Sequence, residues 1–124
     1  MHLKWLLLLW ASFVLSACPG GEPEVLFLGG HIEHSVLLEH EADFDAMQRL
    51  AAGKEVVIKG SLGKICPAGC WFYLHGEDAL VYVDVEGDFK VPADARGKRA
   101  TVVARTLGEG GARTLQATHV IIAP

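Results

Sequence analysis

The sharpest chemistry in the sequence is a pair of thiols on either side of a tight turn, Cys66-Pro67-Ala68-Gly69-Cys70. Proline first and glycine last fit a hairpin built on a type I turn followed by a left-handed glycine. Such a turn sets the two cysteines opposite each other, within the roughly 4.4–6.8 Å Cα separation that a disulfide accepts. Three chemistries suit the pair. One is a structural disulfide closing the hairpin. A second is a soft-metal site, with two thiolates holding Cu(I) or Zn(II). The third is a redox-active dithiol, and here the pattern is the poorer match: the spacing is not C-x-x-C, and no helix N-terminus follows to lower a thiol pKa. A metal also takes further ligands. His75 is the candidate in sequence, five residues after Cys70. That odd offset puts the two side chains on opposite faces of a regular strand. His31, His34 and His40 cluster earlier in the chain, and His119 lies near its end.

Aromatic residues follow the second cysteine directly. Trp71 and Tyr73 project to one side of a strand, with Cys70, Phe72 and Leu74 on the other, so one set must be core. If the Trp71/Tyr73 face is exposed, with Tyr82 beside it, it is a surface on which a ligand can stack. Charge narrows the choice of ligand. The chain carries 11 Lys and Arg against 15 Asp and Glu, a net charge of -4. Affinity for nucleic acid comes largely from cations on phosphate, and this balance argues against it. Lys59 and Lys64 near the aromatics are too few for a phosphate track. Ser35 and Ser61 have no nucleophile elbow, and no P-loop, dinucleotide fingerprint or H-E-x-x-H occurs. The expectation is a binding protein and not an enzyme.

The first residues read as an address. Lys4 supplies a positive start, and Trp5 to Val14 form an apolar core of ten residues. That length spans roughly 15 Å as a helix, about half a bilayer core, which suits a signal peptide and not a stable anchor. Leu15-Ser16-Ala17-Cys18 behind it resembles the lipobox of bacterial lipoproteins, in which the cysteine thiol is lipidated. The resemblance implies removal of residues 1–17, a membrane attachment through acyl chains on Cys18, and an address in the bacterial cell envelope. No Asp follows Cys18, which in a Gram-negative host favours the outer membrane, facing the periplasm. Pro19-Gly20-Gly21-Glu22-Pro23 then serves as a tether. With Cys18 taken by lipid, Cys66 and Cys70 remain as an even pair in an oxidising compartment.

The elements that must position these groups follow from periodicity. Phe44, Met47, Leu50 and Ala51 recur at helical spacing, with Asp43 as N-cap and Gly53 beyond the end, which predicts one short helix over Asp43–Ala52. From Glu55 the period becomes two, with Val56, Ile58, Gly60 and Leu62 on one face. Strands are expected there and at Trp71–Leu74, Leu80–Val83, Ala100–Ala104 and Leu115–Ile122, separated by Gly-, Pro- and Asp-rich turns. Pro92 to Gly97 has room for a single helical turn. Gly60 inside a β-branched run marks a bend or a close approach. Residues 24–41 carry two short apolar runs around Gly29-Gly30-His31, compatible with a hairpin, an added edge strand or an arm.

Five short strands, the first one bent, describe an all-β domain: a small Greek-key barrel over residues 42–124, preceded by tether and arm at 18–41. Gly53 to Gly60 followed by Cys70 to Leu74 resembles the opening of an oligonucleotide/oligosaccharide-binding (OB) fold. More narrowly, Gly63-Lys64-Ile65-Cys66-Pro67-Ala68-Gly69-Cys70-Trp71, with Phe89-Lys90-Val91-Pro92 further on, is similar to a family of small uncharacterised exported bacterial proteins. Their core reads G-x-V-x-x-V-C-x-x-x-G-C-W-M and is followed by F-x-V-P. The match runs from about Ala42 to Ala123. This chain departs from it with three residues between the cysteines and with Phe72 where Met is usual, which removes a thioether from any soft-metal site. The resemblance implies the OB fold and no established activity. The favoured expectation is ligation of a soft metal ion or a small partner at the Cys66/Cys70 hairpin; the alternative is an OB surface for oligonucleotide, oligosaccharide or a protein partner on Trp71, Tyr73 and Tyr82, with Cys66–Cys70 a structural disulfide.

Overall fold

The computed structural model describes residues 24–109 and 112–124. The expected signal sequence, Cys18 and the tether lie outside the described residues. Along the chain run β1 (Leu26–Leu28), α1 (His34–Glu39), α2 (Phe44–Arg49), β2 (Glu55–Ile65), β3 (Trp71–His75), β4 (Leu80–Val85), a 3-10 turn (Ala93–Ala95), β5 (Arg99–Leu107) and β6 (Thr114–Ile122). No helix among the described residues is long and apolar enough to cross a membrane.

Strands β2 to β6 close on themselves. The hydrogen-bonded order is β2-β3-β4-β6-β5, and β5 returns to β2. All neighbours are antiparallel except β4 and β6, which run parallel from Tyr82↔Thr114 to Val85↔Ala117. This is the five-stranded OB-type barrel expected from the sequence. Alternate residues point inward: Val56, Ile58 and Leu62 from β2, Phe72 and Leu74 from β3, Val81 and Val83 from β4, and Leu115, Ala117 and Val120 from β6 form one buried cluster. That leaves Trp71 and Tyr73 outside, half-buried.

The sequence predicts one helix; the structure has two. Helix α2 begins as expected, with the Asp43 side chain accepting a hydrogen bond from the Ala46 N–H at 2.7 Å. It ends at Arg49 and not at Ala52, because tertiary partners claim the next residues. Leu50 is extended, Ala51 O accepts from the Thr106 hydroxyl at 2.8 Å, and Gly53 N–H donates to Thr106 O at 2.7 Å. Those bonds replace the ones that a further helical turn would supply. Met47 still reaches the barrel core, fully buried.

The segment before α2 settles into an added edge strand plus a second short helix. β1 pairs antiparallel with the last residues of β6, Leu26↔Ile122 to Leu28↔Val120. Helix α1 follows and buries none of its residues. The chain then lays Glu41 beside Val57 as a parallel bridge. His40 O accepts from Val57 N–H at 2.8 Å, and Ala42 N–H donates to Val57 O at 2.9 Å. Both contacts cover strand groups that the closed barrel leaves unpaired.

Gly60 sits where β2 passes from its β5 partner towards its β3 partner. The sequence offered a bend or a close approach there, and the structure shows the approach. A Cβ on Gly60 would lie 2.5 Å from the backbone O of His75 and 3.0 Å from the Leu74 side chain. The register shift itself comes later, between Leu62 and Ile65. Gly60→Val is expected to lower stability by about 1–3 kcal/mol through overpacking, read as a lower denaturation midpoint. An unchanged midpoint would remove the close-approach account.

Candidate functional site

The β2–β3 turn is braced on every side. Gly69 N–H donates to Cys66 O at 2.7 Å, and Cys66 N–H donates to Trp71 O at 2.9 Å. Gly69 has φ +75°, as the left-handed position of this turn requires. It also lies against the Phe89–Pro92 segment: Val91 N–H donates to Gly69 O at 3.1 Å, and a Cβ on Gly69 would sit 2.8 Å from both Lys90 Cβ and Val91 O. Val91 in turn is buried in the core. Here is the physical link between the two halves of the sequence motif, the cysteine turn and F-x-V-P.

Cys66 and Cys70 are free thiols, one half-buried and one exposed. The Cys70 Sγ donates to Cys66 Sγ at 3.1 Å. The simple alternation expected for Cys70, on the same side as Phe72 and Leu74, does not hold. β3 begins only at Trp71, and Cys70 still belongs to the turn, its carbonyl held by Val85 N–H at 3.0 Å. The two thiols are electrostatically unequal. The Cys70 hydrogen bond, aided by N–H groups of Cys70, Ala68 and Gly69, holds Cys66 below the ordinary thiol value. That same bond, together with desolvation and the nearby Cys66 and Asp84 charges, pushes Cys70 up.

Beside the turn, three aromatic side chains meet on the outer face of β3 and β4. Tyr73 pairs with Tyr82 and Trp71 with Asp84 across the strands. Ring centroids lie 5.8 Å apart for Trp71–Tyr73 and 5.6 Å for Tyr73–Tyr82, both edge-to-face. Trp71 and Tyr82 are 5.8 Å apart at an interplanar angle of 32°. The Tyr82 hydroxyl donates to Asp84 Oδ1 at 3.0 Å. Partial burial and that carboxylate raise the phenol's pKa and keep it protonated. In an OB barrel the second and third strands and the loop between the first two carry the ligand. Those are β3, β4 and the Cys66–Cys70 turn.

The other candidates lie elsewhere. His75 is exposed on the outward side of β3 but at its far end, with its imidazole over Gly63 where a side chain would strike it. Five residues of strand separate it from Cys70, roughly 16 Å, so the structure does not bring it to the thiols. His31 precedes α1 and His34 opens it, while His40 lies beyond its end. His119 is in β6 with its Nδ1 3.0 Å from the Thr118 hydroxyl. Among the described residues, no three or more His, Cys, Asp or Glu side chains converge as a metal site. A cleft of about 810 Å³ lies near the other end of the β3–β4 hairpin, between Asp43, Lys59, Glu77 and Arg99. Sequence reasoning misses Asp84, whose cross-strand place beside Trp71 follows only once the β3–β4 register is known.

Comparison with solved structures shows the fold again. The chain is similar to the hypothetical protein ygiW from E. coli, with a TM-score of 0.51 and 7% identity over 66% of this chain and 88% of that one. The telomere capping protein Ten1 from Saccharomyces pombe aligns with a TM-score of 0.49 and 12% identity over 65% of this chain and 77% of that one. The S. pombe Stn1-ten1 complex gives a TM-score of 0.49 and 11% identity over 65% and 72%. No family model matches the chain. No curated protein matches it either.

The inequality of the thiols is open to a direct reading. As pH rises, Cys66 is expected to become a thiolate first and Cys70 later, at a pH above that of an ordinary thiol. Iodoacetamide labelling of the reduced protein, followed by peptide mass mapping, should therefore modify Cys66 with a midpoint below that of free cysteine. Equal labelling of both positions at all pH values would contradict the arrangement.

Proposed function

We propose that this protein is a lipid-anchored binding module of the bacterial cell envelope, docking a polypeptide partner on the Trp71/Tyr73/Tyr82 face. The observation that carries the reading is the packing of the three rings, edge-to-face and beside a carboxylate, on the outer face of β3 and β4. Successive bases or sugars stack on ring faces that stand free. Here the rings spend their faces and edges on one another and offer a contoured, half-apolar surface instead. Tyr and Trp clusters of this kind anchor protein interfaces.

Charge then selects the partner. Asp84 lies within the cluster, and exposed Glu86 and Asp88 follow it. A cationic side chain docked at the rim of the cluster would have its head towards Asp84. Nucleic acid would meet these carboxylates. The soft-metal expectation has less support, since two thiols stand together without a third ligand among the described residues, and a tetrahedral Zn(II) takes four. Anchoring rests on Leu15-Ser16-Ala17-Cys18 behind the apolar core.

In a mature chain starting at Cys18, Trp71 is the single tryptophan, Trp5 and Trp10 having gone with the signal. Its fluorescence reports the site directly. Titration with a short Arg- and Leu-containing peptide is expected to shift the emission, and Trp71→Ala or Asp84→Asn to weaken binding about tenfold, by equilibrium dialysis. A single-stranded oligonucleotide or an N-acetylglucosamine oligomer that shifts Trp71 more strongly than the peptide would overturn the choice of partner.

Attachment is tested separately. Cys18→Ser should leave the chain unprocessed or release it from the membrane fraction. Unchanged fractionation, with an unmodified Cys18 in the wild type, would remove the anchor.

A further inference from the structure

Resting on the reading of the β3–β4 face as a polypeptide-docking surface, we propose that Cys66 and Cys70 are a working dithiol that reduces a disulfide in the docked partner. Placement comes first. Cys70 immediately precedes Trp71, so the thiols stand at the rim of the aromatic cluster, and a segment lying across Trp71 passes within reach of both sulfurs. Neither sulfur is closed off from a docked segment, Cys70 being exposed and Cys66 half-buried.

Spacing points the same way. The two Sγ atoms are 3.1 Å apart. Two thiolates sharing a tetrahedral metal at about 2.3 Å each stand roughly 3.8 Å apart, and a linear arrangement holds them further still. A sulfur–sulfur bond of 2.03–2.05 Å lies a small side-chain rotation away. Nor does the backbone have to move. Cys66 N–H, Gly69 N–H, Gly69 O and Cys70 O are all held, at 2.7 to 3.1 Å, by partners within and beside the turn. The sequence arguments against redox chemistry are the spacing, which is not C-x-x-C, and the missing helix N-terminus. The structure supplies a substitute for the helix in the Cys70 thiol, which donates to Cys66 Sγ at 3.1 Å and favours its anion.

The exchange balances without an outside oxidant. The Cys66 thiolate attacks one sulfur of the partner's disulfide, forming a mixed disulfide and expelling the other sulfur, which takes up a proton. Cys70 then loses its proton and attacks Cys66 Sγ, forming the Cys66–Cys70 disulfide and releasing the partner's second thiol. The partner gains two electrons and two protons, which the dithiol gives up. Regenerating the dithiol takes a second thiol donor.

The test uses the full chain, reduced and purified in detergent, with a dye-labelled basic peptide closed by one internal disulfide. Reduced wild type is expected to release about one equivalent of reduced peptide, at least tenfold faster than glutathione at the same pH. Cys70→Ser should stop at a mixed disulfide, mapped by mass to Cys66, and Cys66→Ser should be at least tenfold slower and trap little. Trp71→Ala should slow the peptide reaction at least tenfold more than it slows that of hydroxyethyl disulfide. A peptide that shifts Trp71 fluorescence but is reduced no faster than by glutathione overturns the dithiol proposal and leaves the docking face standing. Fast reduction that Trp71→Ala does not slow supports the dithiol and removes the docking face. A reduced wild type that holds one equivalent of Cu(I) against a chelator and fails to reduce the peptide also overturns it, in favour of a metal site.

Discussion

The parallel contact between β4 and β6 is the constraint on which the barrel rests. Four register pairs, Tyr82↔Thr114 to Val85↔Ala117, join an edge of the β2–β3–β4 meander to the strand that also pairs with β5. Without that seam the sheet has two open edges, and its inward residues from Phe72 to Leu115 face water on one side. The seam is short because β6 leaves β4 after Ala117, where its pairing with β5 shifts register between Val103 and Ala104. Glu86 N–H makes the last bond, to Ala117 O at 2.8 Å. The edge freed beyond that point is taken by β1, three residues contributed from outside the barrel. An arm that looks dispensable in sequence is thus the cover for a strand that has outrun its partner.

Legibility followed the periodicity. Period-two alternation placed all five barrel strands, and an N-cap with an apolar i, i+3 pair placed the start of α2, because these patterns report burial directly. The end of α2 was not legible. It is decided by Thr106, more than fifty residues away, whose hydroxyl and carbonyl bond Ala51 O and Gly53 N–H. The arm was ambiguous for a similar reason: Leu26 and Phe27 remain exposed even though they pair in a sheet, so no alternation marks them. Within the site, the turn and the aromatic strand could be read locally. Tyr82 could be paired with Trp71 and Tyr73 only as a possibility, and the role of Asp84 depends wholly on the β3–β4 register.

Gly69 shows how a local turn becomes a rigid one. Its left-handed φ satisfies the turn, and its missing side chain lets Val91 reach its carbonyl. Because Val91 is itself core, the position of the thiols is tied to the interior through two residues. Loops that carry function are usually held loosely and gain order on binding. This one is fixed to the core before any ligand arrives.

Asp84 then divides the proton-bearing groups of this face into donors and an acceptor. Its carboxylate accepts from Tyr82 and raises that phenol, and its charge adds to the influences that keep Cys70 protonated. Both groups consequently act as hydrogen-bond donors, Tyr82 towards Asp84 and Cys70 towards Cys66. Of the two thiols Cys66 is the one biased towards the anion, chiefly by the hydrogen bond it accepts from Cys70. One carboxylate on the neighbouring strand therefore sharpens an asymmetry that the thiol pair would otherwise express only through its own hydrogen bond. It does so from a position that also faces the aromatic cluster, so a cation docked against Asp84 would offset its charge. Asp84 is the weakest of the influences on Cys70, whose hydrogen bond to Cys66 and loss of solvent come first.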